Sequence, residues 1–235
     1  MKKILLEFAT PIYISKYEKS EQFQDLLRNM AIGEADLAGQ KGNIVRGQEL
    51  LNKNPYLQLN SLETKPDPLS IGRSVKSETF DDFHLKSELV RPFFIWCLDS
   101  FRYFVENISG TQFQNYIVPT IQNCWASIYR AGDYHQYHSH PMSAFAGAYC
   151  VEAPSAEAPQ GAIDFIDPRP NMNYYLPHMP LFANDTKSVI LKPGELVIFP
   201  AWLKHFVNPF KTEGVRITIS INFDFVDLQS SEKSI

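Results

Sequence analysis

From residue 116 onward the chain is cut into short apolar or alternating runs, each bounded by turn-forming residues, and no other feature narrows its possible folds as much. The runs fall at 121–130, 143–151, 161–166, 188–191, 195–199, 203–207 and 215–225. Pro154, Pro159-Gln160-Gly161, Pro168 to Pro170 and Pro193-Gly194 separate them. Such runs read as strands. Many short strands with regular punctuation predict a barrel, jelly roll or sandwich. Seventeen Phe, eleven Tyr and three Trp supply bulky side chains to fill such an interior.

The first 115 residues read differently. A short strand is expected at Met1 to Phe8. Phe23, Leu26, Leu27 and Met30 recur at helical spacing within 21–30. Residues 33–81 are rich in Gly, Asn, Pro, Ser and Lys and read as a long connection, of the kind that forms a lid. A second helix is expected over 87–108, with Leu89, Phe93, Trp96, Cys97, Phe101, Phe104, Val105 and Ile108 as its apolar stripe. Pro92 falls in its first turn, where a missing N–H costs little. The stripe reads as packing against a sheet. The expected organisation is one domain over 1–235, with 1–115 a helical and loop support and 116–226 the core.

A net charge of −4 gives no reason to expect nucleic-acid binding, which needs a basic surface. Cys97, Cys124 and Cys150 are widely spaced and odd in number, which predicts reduced, buried thiols. Glu7 interrupts the apolar start and no small-residue cleavage site follows, so no signal peptide is expected. No run approaches the ~20 apolar residues of a membrane-spanning helix. The expected location is cytoplasmic. The oligomeric state is open, a homodimer included.

Chemistry concentrates in the histidines. His135, His138 and His140 crowd one segment, and His205 lies on a distant strand. In an extended chain, residues i and i+2 point to one face about 6.6 Å apart, so His138 and His140 can reach one metal together. His135 is out of phase and is the weaker candidate. His205, in Pro200-Ala201-Trp202-Leu203-Lys204-His205, is the best available third ligand. Imidazole suits iron, zinc, copper and nickel alike, so the donor set does not name the metal. Arg216 opens a strictly alternating strand, with Arg216, Thr218, Ser220 and Asn222 on one face and Ile217, Ile219, Ile221 and Phe223 on the other. On pattern alone the favoured reading is an outer strand with a solvated polar face.

Tyr129-Arg130-Ala131-Gly132-Asp133-Tyr134-His135-Gln136-Tyr137-His138-Ser139-His140 resembles the approach to iron in 2-oxoglutarate oxygenases such as the prolyl 4-hydroxylases. There the two ligands follow the glycine by six and eight positions, as His138 and His140 follow Gly132. Lys192-Pro193-Gly194-Glu195-Leu196-Val197-Ile198-Phe199-Pro200 is similar to the strand pair that precedes the distal histidine. His138-x-His140-Pro141-Met142-Ser143, Ala146-Gly147-Ala148-Tyr149, Asp167-Pro168-Arg169 and Phe199-Pro200-Ala201-Trp202-Leu203-x-His205 resemble a subfamily of 2-oxoglutarate and iron oxygenases of bacteria and phages. Coverage is strong over 121–225 and thin over 14–115.

The resemblance implies a mainly β fold with flanking α, a double-stranded β-helix of jelly-roll or cupin type packed against N-terminal helices. It implies Fe(II) held by His138, His140 and His205. It implies 2-oxoglutarate with its far carboxylate on Arg216, helped by Thr218 or Ser220, and Tyr129 in the cosubstrate pocket. Trp125, Tyr149 and Arg169 are candidate substrate contacts. The superfamily usually has a carboxylate where this chain has His140, which keeps Asp133, Asp164, Asp167 and, more remotely, His178 as alternative donors. The implied reaction consumes O2, decarboxylates 2-oxoglutarate to succinate and CO2, and hydroxylates an unactivated C–H bond of a small-molecule or amino-acid-like substrate. A cupin-like three-histidine dioxygenase without 2-oxoglutarate, or a non-catalytic β-barrel binding module, are the alternatives.

Overall fold

The alternating strand at the C-terminal end is the centre of the structure, not its edge. β10 (Arg216–Asp227) runs between β3 (Ile117–Tyr129) and β5 (Phe145–Glu152), antiparallel to both. Layers on either side of the sheet bury both of its faces. Ile217, Ile219, Ile221 and Phe223 are fully buried on one, and Arg216, Thr218 and Asn222 are buried on the other. The outer-strand reading of this segment is therefore excluded. Each apolar side chain contributes about 1.5–3 kcal/mol by leaving water.

The computed structural model describes residues 9–41, 76–110, 117–154, 161–169, 186–209 and 211–228. The expected strand at 1–8, most of the connection 33–81 and the loop carrying His178 lie outside them. The remaining strands are β1 (Tyr13–Lys16), β2 (Ser77–Glu78), β4 (His135–His138), β6 (Ile163–Ile166), β7 (Thr186–Val189), β8 (Glu195–Pro200) and β9 (His205–Val207). A six-stranded sheet has the order β1-β8-β5-β10-β3-β2 and a four-stranded sheet the order β4-β9-β6-β7. From β3 onward the chain passes repeatedly from one sheet to the other, which is the winding of a double-stranded β-helix. Tyr129, Cys150, Val197 and Phe199 of the larger sheet meet Ile163, Phe165, Val189 and Val207 of the smaller one in a shared interior.

The opposite face of the larger sheet carries the helices. α1 (Ser20–Lys41) buries Leu27, Ala31 and Ala35 at four-residue intervals. It extends beyond the expected end at Met30, because Ala31 and Ala35 continue the buried stripe across Gly33, whose cost of about 1 kcal/mol the packing overrides. α2 (Arg91–Ser109) buries Phe93, Phe94, Cys97, Phe101 and Phe104. Phe101 stacks on Phe223 with centroids 4.7 Å apart. Leu89 and Ile108, expected in the stripe, are exposed. Leu89 belongs to a preceding 3₁₀ turn (Glu88–Val90) and is out of phase with the helix. No described helix is long and apolar enough to cross a membrane. The three cysteines are free and buried, and burial raises all three thiols, Cys150 to about 12.

Gly147, on β5, is where the larger sheet is tightest. A Cβ there would lie 2.9 Å from both the Phe223 ring and the Val197 carbonyl oxygen. The ring could turn, but the carbonyl belongs to the neighbouring strand. Gly147→Ala is expected to destabilise the fold by about 1–3 kcal/mol, the usual cost of overpacking. Differential scanning calorimetry would read a fall in Tm of roughly 3–12 °C for a chain of this size. An unchanged Tm would show that β5 and β8 separate without cost.

Candidate metal centre

Strand pairing brings the first two imidazoles together. β4 runs antiparallel to β9 with His138 directly opposite His205. Gly132 makes the preceding turn at φ 88°, a backbone conformation that side chains with a Cβ resist. Asp133 closes that turn, its carboxylate accepting from the Arg130 N–H at 2.8 Å. Two residues beyond His138, the His140 N–H donates to the Ala201 carbonyl at 2.9 Å and ties the ligand segment to the turn before β9. One nitrogen from each of His138, His140 and His205 lies within 4.8 Å of the others.

The rings are oriented from behind. The Nδ1 of His138 is 2.6 Å from the Gln136 carbonyl and that of His205 is 2.9 Å from the Leu203 carbonyl. A carbonyl only accepts, so each Nδ1 carries the proton and each Nε2 presents its lone pair. Burial is the main force keeping all three rings neutral. It lowers His138, lowers His140 to about 4 and lowers His205 to about 3. The neighbouring imidazole of His138 adds to the effect on His140 and His205, and the Asn222 amide opposes it on His140. Neutral imidazoles with lone pairs facing one another are what a divalent cation requires. The donor set therefore fits iron, with His138, His140 and His205 as the residues that would hold it.

The polar face of β10 looks into the same cavity. Arg216, Thr218 and Ser220 line it together with Tyr129, the three histidines and Phe199. Arg216 lies over the Tyr129 ring at 4.9 Å and is 5% exposed, yet its Nη1 is buried without a hydrogen-bond partner. No acid pairs with it among the described residues. A buried donor left without a partner costs about 1–3 kcal/mol.

Other expected residues fall differently. Trp125 stacks on His140 with centroids 5.9 Å apart and stands beside the centre. Tyr149 does not: it projects from the opposite face of β5 against Phe93, at 4.6 Å. Its neighbour Ala148 lines the cavity instead. Arg169 is held at the surface by Asp167, Nε to Oδ1 at 2.9 Å, and is outside the cavity lining. That pairing also occupies Asp167, while Asp164 accepts from Asn208 at 2.8 Å. Among the described residues no carboxylate joins the three histidines. His135 stacks on His138 with centroids 3.9 Å apart but is outside the ligand group. Sequence reasoning missed Lys76, whose side chain is 3% exposed and whose ammonium lies 5.7 Å from the Tyr129 ring centroid. No local pattern marks it, since β2 reaches the site only by pairing with β3.

Comparison with known proteins bears on the same segment. Residues 123–222 match the family described as "Putative 2OG-Fe(II) oxygenase". No curated protein matches the sequence. A prolyl-4-hydroxylase of Pseudomonas putida superposes with a TM-score of 0.51 at 11% identity, over 92% of each chain. The non-heme alpha ketoglutarate dependent carbocyclase SnoK from nogalamycin biosynthesis superposes with a TM-score of 0.53 at 10% identity, over 91% of this chain and 79% of that one. At such identities the likeness is one of fold. This chain spans about half the length, 51%, of a 2OG-Fe(II) oxygenase family oxidoreductase from Burkholderia pseudomallei, which it matches at a TM-score of 0.37 and 12% identity. Residues 123–222, which match the 2OG-Fe(II) oxygenase family, hold all three histidines and Arg216.

Proposed function

We propose that the protein is an Fe(II)- and 2-oxoglutarate-dependent dioxygenase that hydroxylates an unactivated C–H bond of a small-molecule or amino-acid-like substrate. The observation that carries this reading is one cavity lined by three neutral imidazoles and a buried guanidinium with an unpartnered donor. When bound, Fe(II) with 2-oxoglutarate supplies the oxidising chemistry, dividing O2 between succinate and the hydroxylated product and releasing CO2.

The chain's own residues bind, orient and exclude. His138, His140 and His205 would hold the ion by three nitrogens, and positions not taken by protein would be available to cosubstrate and O2. Arg216 takes the far carboxylate of 2-oxoglutarate as a charge-assisted pair, and the Thr218 or Ser220 hydroxyl donates to it. The Tyr129 ring holds the guanidinium in place. Phe199, Ile163 and Val207 line the cavity with apolar surface that keeps water from the reacting groups. Trp125, stacked on His140, is the candidate substrate contact nearest the three histidines.

Anaerobic titration with Fe(II) and then 2-oxoglutarate is expected to give the weak visible charge-transfer band of the ternary complex. Admission of O2 is then expected to yield succinate. Iron binding without the band or succinate would favour a three-histidine dioxygenase that binds its substrate directly. Absence of iron binding would leave a binding module.

A further inference from the structure

A fourth imidazole lies against the metal centre without belonging to it. His135 lines the same cavity and stacks on His138 with a centroid separation of 3.9 Å and an interplanar angle of 19°. What distinguishes it is its partner. The Lys76 ammonium lies 3.0 Å from His135 Nδ1, 3.3 Å from Ser127 Oγ and in contact with Glu78 Oε1. Ser127 in turn donates to Glu78 at 3.1 Å. An ammonium has three protons and no lone pair, and here three acceptors receive them. His135 Nδ1 must therefore accept, so a neutral His135 ring carries its proton on Nε2. Neither nitrogen of His135 then has a lone pair to give a metal.

We propose that Lys76 withholds His135 from the metal centre, fixing the ligand set at three imidazoles and keeping the remaining positions for cosubstrate and O2. Lys76 and Glu78 are positioning residues in this scheme; they touch His135 and Ser127 rather than the reacting groups. The pair is suited to the task because Glu78 balances the buried ammonium, and β2 delivers both to the end of β3 that bears Tyr129. Without Lys76, His135 Nδ1 would be free beside three converging imidazoles. An ion there would gain a fourth protein ligand and lose an open position.

The inference rests on the metal-centre reading, and Co(II) separates the two. Long-range ¹⁵N–¹H NMR of the histidine-labelled wild-type apo chain should show His135 as the Nε2–H tautomer. In Lys76→Met/Glu78→Gln, which leaves no buried charge orphaned, the visible bands of bound Co(II) should shift. Affinity should rise at least about tenfold, the scale on which partners of metal ligands act. Adding His135→Ala to that variant should restore the wild-type bands, whereas His135→Ala alone should leave them unchanged. A wild-type Nδ1–H tautomer, unaltered bands in the double variant, or weakened Co(II) binding by His135→Ala alone would each overturn the proposal. Failure of the wild-type chain to bind Co(II) would instead overturn the metal-centre reading, and the inference with it.

Discussion

His205→Ala is expected to abolish metal binding and turnover together while leaving the chain folded. His205 is the most buried of the three ligands, 5% exposed, and its ring is enclosed rather than hinged at the surface. It lies 4.2 Å from His138 and 5.2 Å from His140 between ring centroids, and 4.7 Å from Phe199. Its Nδ1–H is fixed by the Leu203 carbonyl, which leaves Nε2 as the nitrogen it can offer. Partners that merely orient a metal ligand are worth about 10–100-fold in affinity, and removing a ligand outright exceeds that. The cost to folding is smaller, about 1–3 kcal/mol for a truncated buried side chain. Equilibrium Co(II) titration beside a thermal melt separates the two effects, and His205→Gln, which fills the space, guards against collapse of the cavity. A folded His205→Ala chain that still binds one equivalent tightly, or still forms succinate, would remove His205 from the ligand set.

Much of this centre could be seen in the sequence because its elements are local or periodic. The two-residue spacing of His138 and His140 puts them on one side of an extended segment, and alternation from Arg216 to Asn222 puts four polar residues on one face. What alternation could not decide was which way that face points. The answer lies in the pairing of β10 between β3 and β5, a matter of topology. Tyr149 shows the same limit. Every residue of Phe145–Val151 is apolar or small, so the pattern carries no phase, and only the pairing of Ala148 with Ser220 and Tyr149 with Ile219 assigns the faces. Lys76 is the extreme case: its partners Ser127 and His135 lie 51 and 59 residues away, beyond any local signal. Asp167-Pro168-Arg169 allows either a turn with an internal ion pair or a substrate contact; the ion pair is present at the surface.

In the proposed centre, a histidine at 140 in place of a carboxylate would alter the charge as well as the donors. Three neutral imidazoles leave the full double charge of a divalent ion, where a carboxylate would remove one unit. With Arg216 nearby, the cavity is more cationic than a two-histidine, one-carboxylate site. A dianionic cosubstrate is thus the natural counterweight, and Arg216 is the residue through which that balance can be tested.

Arg216→Met is expected to weaken 2-oxoglutarate binding without weakening metal binding, and without destabilising the apo chain. Folding and ligand binding pull in opposite directions at this residue. In the ligand-free chain the guanidinium is buried, has no acidic partner among the described residues and leaves Nη1 unsatisfied. Methionine matches much of its length and removes the buried charge, which by analogy with other buried ionic groups is neutral to stabilising. With the cosubstrate present the balance reverses. Truncating one member of a buried, hydrogen-bonded charge pair costs about 2–4 kcal/mol, or roughly 30- to 700-fold in Kd. Co(II) affinity should stay at the wild-type level, because Arg216 touches Tyr129 rather than the ligating nitrogens. Calorimetric titration of the Co(II)-loaded variant with 2-oxoglutarate, beside an apo melt, reads both halves. Wild-type cosubstrate affinity would show that the carboxylate is held elsewhere. A sharp fall in apo Tm would show that the guanidinium serves the fold and not a ligand.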